Sequence, residues 1–206
     1  MNGRRCISSA DGDGDPGGQA HRLRARPLWR VAALGLCVGS GSAAAQTFAP
    51  TATFVQIGKA EQVDAITAGL AWDWQREWTF GEGRLTGRWE VSVSMWSYAP
   101  ATGSGNAQLG LIAFTPVLRY APGGAGAAWF IEGGIGATWM SPQYASDRKT
   151  FSTSFNFGDQ IAIGWAFGPE RLHEISLRYE HYSNADLRRP NPGENFVQLR
   201  VSVPFP

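Results

Sequence analysis

The sequence predicts an all-β fold, an eight-stranded antiparallel transmembrane β-barrel of the outer-membrane type. Three observations predict it. Apolar and polar residues alternate with period two through most of the chain, an export leader precedes that region, and aromatic residues gather near the ends of the alternating segments. Composition agrees: 26 glycines, nine tryptophans and eleven phenylalanines, with only 17% charged residues, suit strands, tight turns and an amphipathic interface. A net charge of +1 gives no field that would gather nucleic acid or an acidic partner.

The leader comes first. Arg22, Arg24, Arg26 and Arg30 make a basic stretch, Val31 to Val38 is a short apolar run, and Ala43-Ala44-Ala45 supplies the small residues of a cleavage site. Residues 1–45 are therefore expected to be an N-terminal extension and cleavable signal peptide, and residues 46–206 the barrel. The apolar run is too short to span a bilayer as a helix. Residues 1–21 are polar and rich in Gly and Asp, unlike a signal peptide, and read as a long leading extension or as a start codon placed too early. Leu36 is bulky where lipid attachment at Cys37 would want a small residue. Cys6 and Cys37 both fall in the leader, which excludes disulfides and thiol catalysis from the exported chain.

The strands follow in order, at about 51–59, 63–75, 84–98, 107–121, 127–140, 151–167, 172–184 and 195–205. From Leu85 to Met95 the odd positions are apolar or glycine and the even ones polar or charged. Trp129, Ile131, Ile135 and Trp139 share a phase opposite Glu132 and Thr138. In the last segment Val197, Leu199, Val201, Val203 and Phe205 alternate with Gln198, Arg200 and Ser202. Breaks fall at turn-forming sites such as Pro122-Gly123-Gly124 and Gly168-Pro169-Glu170.

Alternation alone also suits a soluble sandwich or a lipocalin-like barrel. Export, the even strand count and the aromatics Trp72, Trp74, Trp78, Trp96, Tyr98, Trp139 and Tyr179 near segment ends favour the membrane. With eight strands both termini lie on one side, the periplasm, and the connections after the first, third, fifth and seventh face outside.

In the seventh segment Ile175, Leu177 and Tyr179 share a face with His181 and Ser183, while Glu174, Ser176, Arg178 and Glu180 share the other. A membrane barrel turns its charged face to the lumen and its apolar face to lipid, which puts His181 and Ser183 on the outside near the extracellular end. Polar residues there are costly, and two residues apart on one face the imidazole can act as base for the hydroxyl. Asn195 is in phase with Val197 and Leu199, so it also faces outward, where its amide oxygen can hold the imidazole tautomer. Asn184 and the loop N–H groups are candidate oxyanion donors. Taken alone, His-x-Ser near a strand end is a weak signal, an interfacial histidine beside a loop-capping serine, and Pro190-Asn191-Pro192-Gly193 is a turn.

The whole segment says more. His181-Tyr182-Ser183-Asn184-Ala185 followed by Pro190-Asn191-Pro192-Gly193 resembles the C-terminal signature of the PagL-type lipid A 3-O-deacylase family. The resemblance implies an eight-stranded outer-membrane barrel hydrolysing the 3-position ester of lipid A, with His181 as general base, Ser183 as nucleophile and Asn184 as oxyanion residue. One departure stands out. The family's glutamate orienter falls at Asn195 here; Glu194 is the alternative, although alternation turns it to the lumen unless a bulge shifts the register.

The implied substrate is lipid A of lipopolysaccharide, reached from the outer leaflet of the bacterial outer membrane. No cofactor, metal or nucleic acid is implied, and a homodimer is left open. Arg188 and Arg189 are candidates for the lipid A phosphates or are simply solvated loop charges. The rivals are a non-enzymatic structural or adhesin barrel, an outer-membrane phospholipase, and a soluble periplasmic lipid-binding barrel.

Overall fold

The computed structural model describes residues 49–205. The expected leader, residues 1–45, lies outside the described residues. Nine strand segments occur among those described: β1 (Ala52–Lys59), β2 (Val63–Asp73), β3 (Trp78–Phe80), β4 (Gly83–Tyr98), β5 (Ala107–Ala121), β6 (Trp129–Ser141), β7 (Phe155–Phe167), β8 (His173–Ser183) and β9 (Glu194–Pro204). All pairings are antiparallel between neighbours. β1 pairs with β9 and β2 with β4, which closes the sheet into a barrel. Closure gives each of the eight staves a neighbour on both sides, as a wall facing hydrocarbon requires, and only the short β3 has a single neighbour, β4.

The ninth segment does not add a stave. β2 pairs with β4 as far as Asp73↔Arg88, and β3 continues beside the start of β4 from Trp78↔Leu85, so the two occupy one position in an eight-staved wall. The expected single strand over 63–75 is cut short because Trp74 folds onto the outer surface of β4. Its N–H donates to the Gly87 carbonyl at 2.8 Å, and its ring covers Gly87, where a Cβ would lie 2.0 Å from the indole.

The alternation maps directly onto the wall. Val55, Ile66, Val93, Ile112, Ile135, Ile161, Leu177 and Val197 are exposed on the outside, whereas Gln56, Glu90, Glu132, Arg178 and Arg200 are buried within. Two of the aromatics expected at the lipid interface are elsewhere. Trp96 and Tyr98 occupy even positions of β4, which face inward, and they are buried at 1% and 4% exposure. With Leu109, Met140, Tyr144, Phe151, Tyr182 and Phe196 they fill the extracellular end of the lumen. Trp139 and Tyr179 do face outward.

The other half of the lumen is ionic. Arg200 donates twice to Glu90 at 2.8 Å, Arg178 to Glu132 at 3.0 Å, and Arg119 to both Glu132 and Glu174. Buried charges persist only when paired in this way. The interior is thus packed with side chains, and chemistry is left to the outer surface and the loops. Three of the four connections at the extracellular end, 99–106, 142–154 and 184–193, are the long ones.

Candidate active site

β8 lies between β7 and β9, and its register decides what flanks each residue. His181 stands opposite Asn195 on β9 and opposite Asp159 on β7; Ser183 stands opposite Phe157. Odd positions of β7, β8 and β9 all face outward, so Asp159, His181 and Asn195 form one cross-strand row on the lipid-facing wall. Ser183 is one step nearer the extracellular rim.

His181 Nδ1 lies 2.7 Å from Asn195 Oδ1. An amide oxygen only accepts, so Nδ1 carries the proton and the lone pair of the neutral ring is on Nε2. Among the described residues Nε2 has no hydrogen-bond partner, nor has the Ser183 hydroxyl. Both side chains are half-buried. The imidazole is held from a further side by Gly193 (φ 67), where a Cβ would lie 2.7 Å from His181 Cε1. The glycine that reads as a turn signal is also what gives the histidine ring its room.

Asn184 is placed differently from expectation. It is inward-facing and 1% exposed, and its Nδ2 donates to Ser152 Oγ at 3.0 Å, Thr153 Oγ1 at 3.1 Å and the Arg188 carbonyl at 2.8 Å. Its N–H donates to Asn191 Oδ1 at 3.0 Å. So placed, this amide ties the β6–β7 loop to the β8–β9 loop. The reason is the strand period: the residue after Ser183 turns to the opposite face. Next in the chain, Ala185 (φ 52) and Asp186 (φ 60) are left-handed, and the Ala185 N–H has no acceptor among the described residues.

Glu194 faces the lumen, as alternation requires. It is 2% exposed and accepts from Tyr144 Oη at 3.0 Å and Lys149 Nζ at 2.9 Å, away from His181. Burial first, and then the Glu194 carboxylate, push the Tyr144 phenol up, so it stays a donor. Arg188 and Arg189 are exposed in the β8–β9 loop; Arg189 lies 3.5 Å from Asp186, and Arg188 has no ionic partner among the described residues.

Asp159 went unnoticed at the level of sequence. Its signal was available: a carboxylate in phase with Ile161, Ile163 and Trp165 on an otherwise apolar face.

Fold and site together define a class, an outer-membrane β-barrel that carries a histidine and a serine two residues apart on its lipid-facing wall. Comparison with known proteins narrows it. Residues 65–204 match the profile of the family described as lipid A 3-O-deacylase (PagL), and the chain belongs to that family. It is 35% identical over 138 residues to the lipid A deacylase PagL of Pseudomonas aeruginosa, covering 66% of this chain and 76% of that one. To the lipid A deacylase PagL of Bordetella bronchiseptica it is 34% identical over 133 residues, covering 64% and 70%. The crystal structure of the outer membrane enzyme PagL superposes with a TM-score of 0.64 at 30% identity, covering 75% of this chain and 99% of that chain.

Proposed function

We propose that this protein is an outer-membrane esterase that hydrolyses the 3-O-linked acyl chain of lipid A, with Ser183 as nucleophile, His181 as base and Asn195 as the residue that orients the imidazole. The enzyme class rests on family membership. The residue roles are carried by one observation: the 2.7 Å bond from His181 Nδ1 to Asn195, which leaves Nε2 as the free base two residues from an unengaged serine on the same face.

The chemistry then runs at the membrane boundary. Lipid A moves laterally in the outer leaflet and brings its ester to the wall above Tyr179 and Val197. His181 Nε2 takes the Ser183 proton as Oγ attacks the carbonyl carbon. The oxyanion is held by N–H groups of this loop, with the Ala185 N–H a candidate donor beside Asn184. The imidazolium returns its proton to the departing 3-oxygen of the sugar. At that point 3-O-deacylated lipid A leaves, and water, activated by the same histidine, then cleaves the acyl-serine and releases a 3-hydroxy fatty acid. Arg188, exposed and without an ionic partner, is suited to a lipid A phosphate.

Mass spectrometry of lipid A from cells expressing the wild type and Ser183→Ala tests this. Loss of one 3-hydroxyacyl chain with the wild type and none with Ser183→Ala is expected. Equal loss with both would overturn the nucleophile assignment. Release of fatty acid from phospholipid in preference to lipopolysaccharide would overturn the substrate.

A further inference from the structure

The outer face of the barrel carries very few carboxylates. Among the outward positions of the described strands there are two, Asp64 and Asp159. Asp64 sits at the β1–β2 hairpin and pairs with Lys59 at 2.8 Å. Asp159 is different. It lies within β7, half-buried between Phe157 and Ile161, and makes no ion pair or hydrogen bond to a side chain among the described residues. A lone carboxylate on a lipid-facing wall is costly and marks function.

Its register says what it serves. Asp159 is the direct cross-strand neighbour of His181 on the side opposite Asn195. Directly opposed residues on one sheet face have Cβ atoms about 5 Å apart. The catalytic step turns His181 into an imidazolium, and Asn195 fixes the ring without offering any charge. Other charged groups near the ring point elsewhere. Glu180 faces the lumen and binds Gln198, Glu194 is engaged by Tyr144 and Lys149, and Asp186 lies beside Arg189 in the loop. Arg188 is an exposed loop cation. The carboxylate on the same face and in the same row is Asp159.

We infer that Asp159 is a positioning residue of the reaction, supplying across β7 and β8 the negative charge that stabilises the His181 imidazolium in place of a charged orienter at position 195. This rests on His181 acting as the base. Near the membrane boundary water screens the pair poorly, so a separation of several ångströms still couples the two charges. The division of labour follows: Asn195 sets tautomer and angle, and Asp159 sets charge.

The test measures release of 3-hydroxy fatty acid from purified lipopolysaccharide in detergent as a function of pH, with folded barrel verified by its heat-dependent gel migration. Asp159→Asn is expected to lower kcat about tenfold or more with KM within about threefold, and to move the acid limb of the rate profile to lower pH. The sign follows from charge: without the carboxylate the imidazolium is less stable, so the base stays free to lower pH but drives proton transfer less well. Asn195→Glu introduced into Asp159→Asn is expected to restore most of the rate and return the acid limb. Asp159→Ser, which also removes the charge, reproduces the shift if the amide variant inserts poorly. An unchanged kcat and acid limb in Asp159→Asn, or no recovery with Asn195→Glu, would overturn the inference. Ser183→Ala run alongside separates the two levels: its activity would remove the His-Ser reading itself, whereas an inert Ser183→Ala beside a normal Asp159→Asn removes only the role of Asp159.

Discussion

His181 and Asn195 face each other across β8 and β9 with Nδ1 and Oδ1 2.7 Å apart, on the surface that meets lipid. The bond joins residues fourteen apart in the chain, brought level by a loop that reverses direction at Pro190-Asn191-Pro192-Gly193. It orients the imidazole without placing a charge beside it. That distinguishes the site from one closed by a carboxylate and makes the neighbouring Asp159 consequential.

Asn195→Ala removes the acceptor for Nδ1 and frees the ring to rotate and change tautomer. The expected result is a fall in kcat of roughly 10²-fold, with little change in stability because the side chain lies on the outer face. Steady-state hydrolysis beside a urea unfolding curve checks both. A fully active Asn195→Ala would show that the ring is held by something else.

Gly193→Ala strains the site twice. A φ of 67 disfavours any L side chain by about 1–2 kcal/mol, and the new Cβ would meet His181 Cε1 at 2.7 Å. The barrel should still insert, with activity reduced more than stability. Comparing fatty-acid release with the urea midpoint in detergent distinguishes displacement of the histidine from general loosening.

Asn184→Ala leaves the Ser152 and Thr153 hydroxyls and the Arg188 carbonyl without their shared donor. Unsatisfied buried groups cost about 1–3 kcal/mol each at most, so a drop of that order is expected, read as a lower unfolding midpoint and faster proteolysis of the 142–154 and 184–193 loops. Activity should fall in step with loop order. Loss of kcat with unchanged loop protection would instead return Asn184 to the oxyanion site.

Much of the barrel was legible because a strand wall between two solvents imposes a strict local rule. Each residue faces either lipid or lumen, the period is two, and Ile175, Leu177 and Tyr179 declare their face without reference to the rest of the chain. The same rule put His181, Ser183 and Asn195 outside and Glu194 inside. It erred where faces and ends are judged by residue type alone. Trp96 and Tyr98 suggested an interfacial girdle by their chemistry, but their even positions turn them into the lumen. The segment 63–75 ran on in sequence, yet Trp74 leaves the ladder to cover Gly87, a contact between residues thirteen apart that no local pattern announces.

The sequence by itself determined the strand rhythm, the outward phase of the His-Ser pair and, through the residues around it, the chemistry. Only the tertiary structure decided which partners complete the site. Register is a property of two strands at once: the β7–β8 and β8–β9 pairings set Asp159 and Asn195 on either side of His181. The packing of two loops decided that Asn184 is a knot between them. Alternation tells each strand which way to face, but not how far to slide along its neighbour, and at this site the slide selects the residues beside His181.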